Sequence, residues 1–405
     1  MRTFNSKIAD RRPAFLLSIG IRNQVLFVLV IIGVAAVALS GFVGEAPNRL
    51  VSGRPVPLWA AAATLPTAGI AVLGAALAAA CLIRPSRALH CAVAVFAAAL
   101  LLLVLAAAGE AAASLLAQSA SPATRISLGP AFWVIGACAA LAVGDALQRL
   151  RAGIIVQLVA VAGLASGLLL MAASGTFDAL SLAKEYEIHR QVFADAMARH
   201  MTLVGASVGA AAAIGFPLGV AVARRPGLQG PVFAVLNILQ TIPSIALFGL
   251  LIVPLSALVA AVPRLATFGV GGIGVTPAII ALVLYALLPV VRNTSVGLTG
   301  VDSAAIEAGR GMGMSPGQIF REIELPLALP VLLAGLRIVT VQAIGLAVVA
   351  ALIGAGGLGA FVFEGLGQYA VDLVLLGALP AIFLALGAEF MLQILTAMLH
   401  RRFAG

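Results

Sequence analysis

Ten runs of about twenty or more apolar residues recur along this 405-residue chain, near positions 24–44, 56–83, 88–117, 129–147, 152–173, 201–223, 230–253, 273–291, 327–350 and 373–399. A helix needs about 20 such residues to cross a hydrocarbon core about 30 Å thick, where every backbone polar group must be bonded within the element itself. The runs lack the strict apolar/polar alternation of membrane-barrel strands. They therefore predict an all-α polytopic membrane protein with about ten transmembrane helices and exclude a soluble enzyme. Composition agrees: 62% of residues are hydrophobic and 10% charged, against about 45–50% and about 25% in ordinary soluble domains.

Basic residues orient such a chain, because short cytoplasmic loops collect Arg and Lys. With Arg2, Lys7, Arg11, Arg12 and Arg22 inside, ten alternating crossings leave Arg84, Arg87, Arg149, Arg151, Arg224, Arg225, Arg292, Arg310, Arg321, Arg401 and Arg402 on the same side. Both termini are then cytoplasmic. The net charge of +9 is dispersed over many loops and reflects this orientation; nucleic acid is not an expected partner. The first apolar run follows a long basic stretch and is of spanning length, so it reads as a span in preference to a cleaved leader.

The most polar long connection, Ser174–His200, divides the chain. It is expected outside the membrane as a partly amphipathic helix on the bilayer surface, separating an N-terminal extension of about five spans (1–200) from a second half (201–405). Prolines and glycines concentrate in that second half, as in membrane segments that line a pathway.

Several chemistries find no support in the sequence. Gly269, Gly271 and Gly274, and likewise Gly354, Gly356 and Gly359, fit the spacing of a dinucleotide-binding loop, but neither group lies between a strand and a helix. They read as tight turns. A phosphate-binding loop needs Gly-Lys, and the two lysines, Lys7 and Lys184, follow Ser6 and Ala183. Any ATP-driven function must draw its ATPase from another polypeptide. His90, His189, His200 and His400, like Cys81, Cys91 and Cys138, have no metal-ligand spacing. Glu110, Arg337 and Glu389 fall in or near spans, where charge is costly and suggests a proton relay, interfacial placement or interhelical pairing.

The segment 302–326 is different in kind. Asp302 is an N-cap for a helix expected to run to about Met312. Glu307 and Arg310 are spaced to pair along it, and Gly309 and Gly313, four apart, are expected to share one face. Ser315, Pro316 and Gln318 form the signature of a second helix start with a capping box, and Pro326 is expected to end that helix before the next span.

This segment resembles the cytoplasmic loop of the membrane permeases of binding-protein-dependent ABC importers, whose pattern is E-A-A-x-x-x-G-x9-I-x-L-P. It matches at Glu307, Ala308, Gly313, Ile323, Leu325 and Pro326, with Gly309 in place of the second alanine. The resemblance narrows through LQTIPSIALFGLL (239–251), LYALLPVVRNTSVGL (284–298) and TVQAIGLAVVAALIGAGGLG (340–359) to the glycine betaine, choline and proline branch, over roughly residues 200–400. It implies a five-helix type I importer core at 201–405 in a multi-pass inner-membrane protein, with coupling helices at about 302–326. It also implies a cytoplasmic ATPase dimer that supplies ATP and Mg, an extracytoplasmic binding protein, a second permease subunit and surrounding lipid. The chain itself would bind no cofactor or metal and hold no catalytic residue. Asn237, Gln240 and Thr241 are the polar candidates for a pathway wall, with interhelical hydrogen bonding as their alternative use. A permease for another small amino-acid-like solute and an ion-coupled secondary transporter remain the competing readings.

Overall fold

The computed structural model describes residues 21–403 apart from Leu50, Ser52 and Ala120. The basic residues Arg2, Lys7, Arg11 and Arg12 lie outside the described residues, as do the side chains of Arg401 and Arg402. The chain forms two compact units, 1–187 and 188–405. The division falls earlier than the residue 200 expected from sequence.

In the first unit, α1 (Gln24–Leu39), α2 (Thr64–Ala80), α3 (Arg87–Gln118), α4 (Pro130–Arg149) and α5 (Ile154–Ala173) correspond to the first five apolar runs. Asn23 caps α1 by accepting the Leu26 N–H, and Ser86 caps α3 by accepting that of Leu89. The core lies where α3 packs against α2 and α4, around Val93, Ala97, Leu100, Val104, Ala107 and Ala111. Small residues there let the helices approach closely, the usual solution where lipid supplies no hydrophobic force between helices. α5 buries none of its residues, which its uniformly apolar surface permits only in a membrane.

Sequence reading missed a small antiparallel sheet in this unit. β1 (Val43–Ala46) runs between β2 (Arg54–Val56) and β3 (Arg125–Leu128), with Val43 opposite both Val56 and Leu128. The strands are three or four residues long, and more than half of their pairing is with a segment some eighty positions distant. Neither property leaves a local periodic signal.

The expected surface helix over 174–200 is also revised. From Ser181 the chain is one continuous helix, α6 (Ser181–Arg224), so the polar stretch and the following span are a single element. One of its polar residues is not solvated: Glu185 is buried and lies 3.6 Å from the Arg49 guanidinium, whereas Glu187, Arg190, Asp195 and Arg199 are exposed. A charged side chain with a partner in the fold does not need the water that an amphipathic pattern implies.

The second unit contains the rest of α6, then α7 (Pro226–Thr241), α8 (Ser244–Ala261), α9 (Val275–Thr299), α10 (Ser303–Gly311), α11 (Leu325–Val349), α12 (Gly359–Gly367) and α13 (Val371–Phe403). The single span expected over 230–253 is broken at Ile242-Pro243, because the residue before a proline is driven out of the helical region; Ile242 is extended. α9 is the most enclosed helix and packs chiefly on α11, which in turn packs on α13. Gly335 makes the α9–α11 contact possible, since a Cβ there would lie 2.6 Å from that of Asn293. Gly215 and Gly219 do the same for α6 against α9, facing Val290 and Thr294.

Among the described residues, eight helical segments are long and apolar enough to cross a membrane, while α1 and α2, with 16 and 17 residues, are shorter. The all-helical, polytopic reading stands, with the small sheet as its one addition among the described residues.

Candidate functional site

The two helix starts read from sequence are present. Asp302 accepts the Ala304 N–H at 2.9 Å and opens α10. Ser315 accepts the Gln318 N–H at 3.4 Å while the Gln318 side chain accepts the Ser315 N–H at 2.8 Å, completing the capping box. Between them the chain turns through a Schellman arrangement: Gly313 N–H donates to Arg310 O and Met314 N–H to Gly309 O. Gly313 has φ +80°, a left-handed conformation that glycine adopts without steric cost.

That geometry corrects the expectation that Gly309 and Gly313 share a face. Gly313 lies beyond the helix end and is exposed, whereas Gly309 is buried. A Cβ on Gly309 would come within 2.6 Å of Ile323 Cδ1 and 3.5 Å of Ile319 Cγ1. The inward small residue therefore seats α10 on the segment that follows it, and the outward glycine shapes the turn. Glu307 and Ala308 are exposed. No ion pair joins Glu307 to Arg310 among the described residues, so that expected pairing is absent.

Pro326 does not end the second helix. From Pro316 to Ile353 the chain is helical throughout, but Ile319–Glu324 takes the wider π-helical winding before α11 begins. A proline in a regular α-helix lacks one hydrogen bond and clashes with the carbonyl four residues back. The π turn absorbs both effects, so the capped helix continues directly into the span, with Ile323, Leu325 and Pro326 half-buried along it.

One pair near this element had no sequence signal. Glu324, the last π-helical residue, is buried, and its carboxylate takes a two-pronged hydrogen bond from Arg224 at the end of α6. Arg224 donates to Oε1 at 2.9 Å and through its other terminal nitrogen to Oε2. The same guanidinium lies 5.7 Å from the centre of the Phe320 ring. A pocket of about 550 Å³ opens beside the pair, with Arg310, Met314 and Gly317 on its other walls.

At the other end of the unit the two glycine-rich turns meet. Gly274 N–H donates to Ile353 O at 2.8 Å, and Gly354, Gly356 and Gly357 all have positive φ. No strand adjoins either turn among the described residues of this unit, so neither has the strand–turn–helix setting of a dinucleotide-binding loop. His200 of α6 is fully buried and sets its ring against Gly357 and the backbone of Ile344.

The polar candidates for a pathway wall divide. Gln240 donates to Tyr285 O at 2.8 Å and Tyr285 OH donates to Ile242 O, which ties the end of α7 to α9. Thr241 bonds Ile238 O in its own helix, and Asn237 is exposed. Gln240 thus serves interhelical bonding in this conformation. Arg337 and Glu389 pair across α11 and α13 at 3.3 Å, and no cluster of potential metal ligands occurs among the described residues.

Each unit resembles known proteins. Residues 215–405 match the family described as binding-protein-dependent transport system inner membrane component, and residues 21–183 match the N-terminal domain of the ABC transporter permease YehY. An osmoprotectant import permease protein of Salmonella typhimurium is 43% identical over 201 residues, half of this chain and 88% of that protein. A carnitine transport permease protein of Listeria monocytogenes is 42% identical over 48% of this chain and 82% of its own length. A choline transport system permease protein of Bacillus subtilis is 37% identical over 48% and 82%. Among solved structures, an inward-facing form of the MetNI methionine ABC transporter aligns over 53% of this chain and 98% of its own with TM-score 0.46 and 25% identity.

Proposed function

Because the chain belongs to the binding-protein-dependent inner-membrane permeases of ABC importers, we propose that it passes osmoprotectants of the glycine betaine, choline and carnitine kind across the inner membrane, driven by a partner ATPase. Residues 201–405 are the permease core on this reading and 1–200 an extension. The observation that carries the substrate class is the likeness of the second half, at 37–43% identity, to permeases named for osmoprotectants, carnitine and choline.

Glu307, Ala308, Gly309, Gly313, Ile323, Leu325 and Pro326 form the coupling element. ATP binding with Mg closes a pair of cytoplasmic ATPase subunits, and their movement displaces this element as a rigid body. The permease pair then changes access and accepts ligand from an extracytoplasmic binding protein. What supports the assignment is the combination of an exposed, doubly capped helix–turn–helix and its direct continuation into α11. A displaced surface loop would move nothing, but a displaced helix start moves the span behind it.

This chain's own role is conduction and transmission, without covalent chemistry. Selection resides mainly in the binding protein, since aromatic cages hold quaternary ammonium groups best with Trp and this chain has only two Trp and three Tyr among its aromatics. Asn237 and Thr241 remain pathway candidates, and Gln240 joins them only if another conformation releases it from Tyr285. Reconstituted complex in proteoliposomes should take up labelled glycine betaine on addition of ATP, with choline and carnitine competing. Uptake inhibited only by methionine or another amino acid would reject the substrate class. Uptake driven by an ion gradient without ATP would reject the importer class.

A further inference from the structure

We propose that the Arg224–Glu324 pair is the link through which the coupling element moves α6, and that α6 carries this displacement across the membrane to the glycine turn at Gly354–Gly357. The proposal rests on the coupling role given above to residues 302–326. It begins from a carboxylate in an unfavourable place. Glu324 is buried while Arg224 is half-exposed, and neither an exposed nor a buried ion pair adds much stability over an apolar pair of similar volume. Its value lies in geometry, because a guanidinium fork fixes both the distance and the orientation of the group it holds.

Here the fork joins elements 100 residues apart in sequence. On one side α10 bears on Ile319 and Ile323 through the bare backbone of Gly309. Ile323 is adjacent to Glu324, whose carboxylate is gripped by the terminal residue of α6, and Phe320 braces the guanidinium. On the other side, the 24 residues from Arg224 back to His200 span about 36 Å along one continuous helix, enough to cross the hydrocarbon core. Pro217 lies within this stretch without ending it. Gly215 and Gly219 offer α9 a backbone surface there. At the far end His200 is buried against Gly357, in a turn whose glycines can change φ without steric cost. Arg224 and Glu324 are thus positioning residues, and the glycine turn is what α6 would move.

The test uses the complete complex with its ATPase and binding protein. A cysteine at Leu352, which is exposed beside the turn, replaces the native Cys81, Cys91 and Cys138, which become serine. In the parent the labelling rate of this cysteine should change with ATP; this needs no substrate, so it is independent of the substrate class, which parent uptake of glycine betaine judges separately. The double variant Arg224→Met/Glu324→Leu removes both charges together, leaving no buried carboxylate alone. It should assemble and keep basal ATPase activity, lose the ATP-dependent labelling change, and import fewer molecules per ATP by roughly 5- to 150-fold. Arg224→Lys, which keeps charge without the fork, should assemble and fall between. Unchanged labelling and transport in the assembled double variant would overturn the proposal, as would a parent whose Leu352 labelling ignores ATP. It also fails if the double variant does not assemble while Arg224→Lys assembles and transports fully, since the pair would then serve folding alone.

Discussion

Gly219→Ala gives the sharpest reading of how α6 and α9 are held. An added Cβ at Gly219 would lie 2.5 Å from Thr294 Cβ, 2.8 Å from its Cγ2 and 3.0 Å from Val291 O. Carbon atoms prefer about 3.5–4.0 Å, so the helices must part by about 1 Å. Side-chain rotation gives no escape, because Cβ and the carbonyl are fixed to the backbone and Thr294 is 2% exposed. Overpacking of this kind costs about 1–3 kcal/mol. Gly205 provides an internal control on the same helix: nothing lies within 4 Å of its Cβ, so Gly205→Ala should stabilise by about 0.5–1 kcal/mol through helix propensity alone. Chemical unfolding of purified protein in mixed micelles measures both. Adding Thr294→Gly to Gly219→Ala should recover at least about 0.5 kcal/mol beyond additivity. If Gly219→Ala unfolds at the parent midpoint, or its effect simply adds to that of Thr294→Gly, the close approach of α6 to α9 is wrong.

The coupling element offers further measurements. Ser315→Ala removes the capping box and should cost about 0.5–2 kcal/mol, seen as faster proteolysis between Met312 and Phe320 with the membrane spans intact. Gly313→Ala must hold a side chain at φ +80°, at a cost of about 1–2 kcal/mol, and should weaken co-purification of the ATPase; a larger residue there tests strain and docking together, so alanine is the cleaner probe. Gln240→Leu should lower stability by about 1 kcal/mol through the lost bond to Tyr285 O, while retaining most glycine betaine uptake. Arg337→Met/Glu389→Leu should retain ATP-driven uptake, because the pair at 3.3 Å is structural; abolished uptake in an assembled complex would favour ion coupling.

What the sequence revealed was what it encodes locally. The apolar runs and the Asp302 and Ser315 caps are each encoded in contiguous sequence, and the caps and most of the runs have their counterparts in the structure. Long-range pairings were hidden. One of the two partners of β1, β3, lies about eighty positions away, and nothing around Arg224 announces Glu324. Rules that hold for isolated helices also misled where context overrode them. Pro326 ought to stop a helix, yet a π turn accommodates it. Gly313 counts onto the face of Gly309 only if the helix continues that far, and it ends at Gly311. The polar stretch before His200 looked like a surface helix because burial of Glu185 beside Arg49 has no periodic signature. One signal was readable and went unread: Gly215 and Gly219, four apart in an apolar run, mark a close helix contact.

The most direct test of the central claim is site-specific cross-linking between this chain and its ATPase. A cysteine at Ala308, exposed on α10, should cross-link to the ATPase in the assembled importer, while a cysteine at Leu352 at the opposite end of the unit should not. Cross-linking from Leu352, or none from Ala308 in a complex that still imports with ATP, would contradict the assignment of 302–326 as the surface that receives the work.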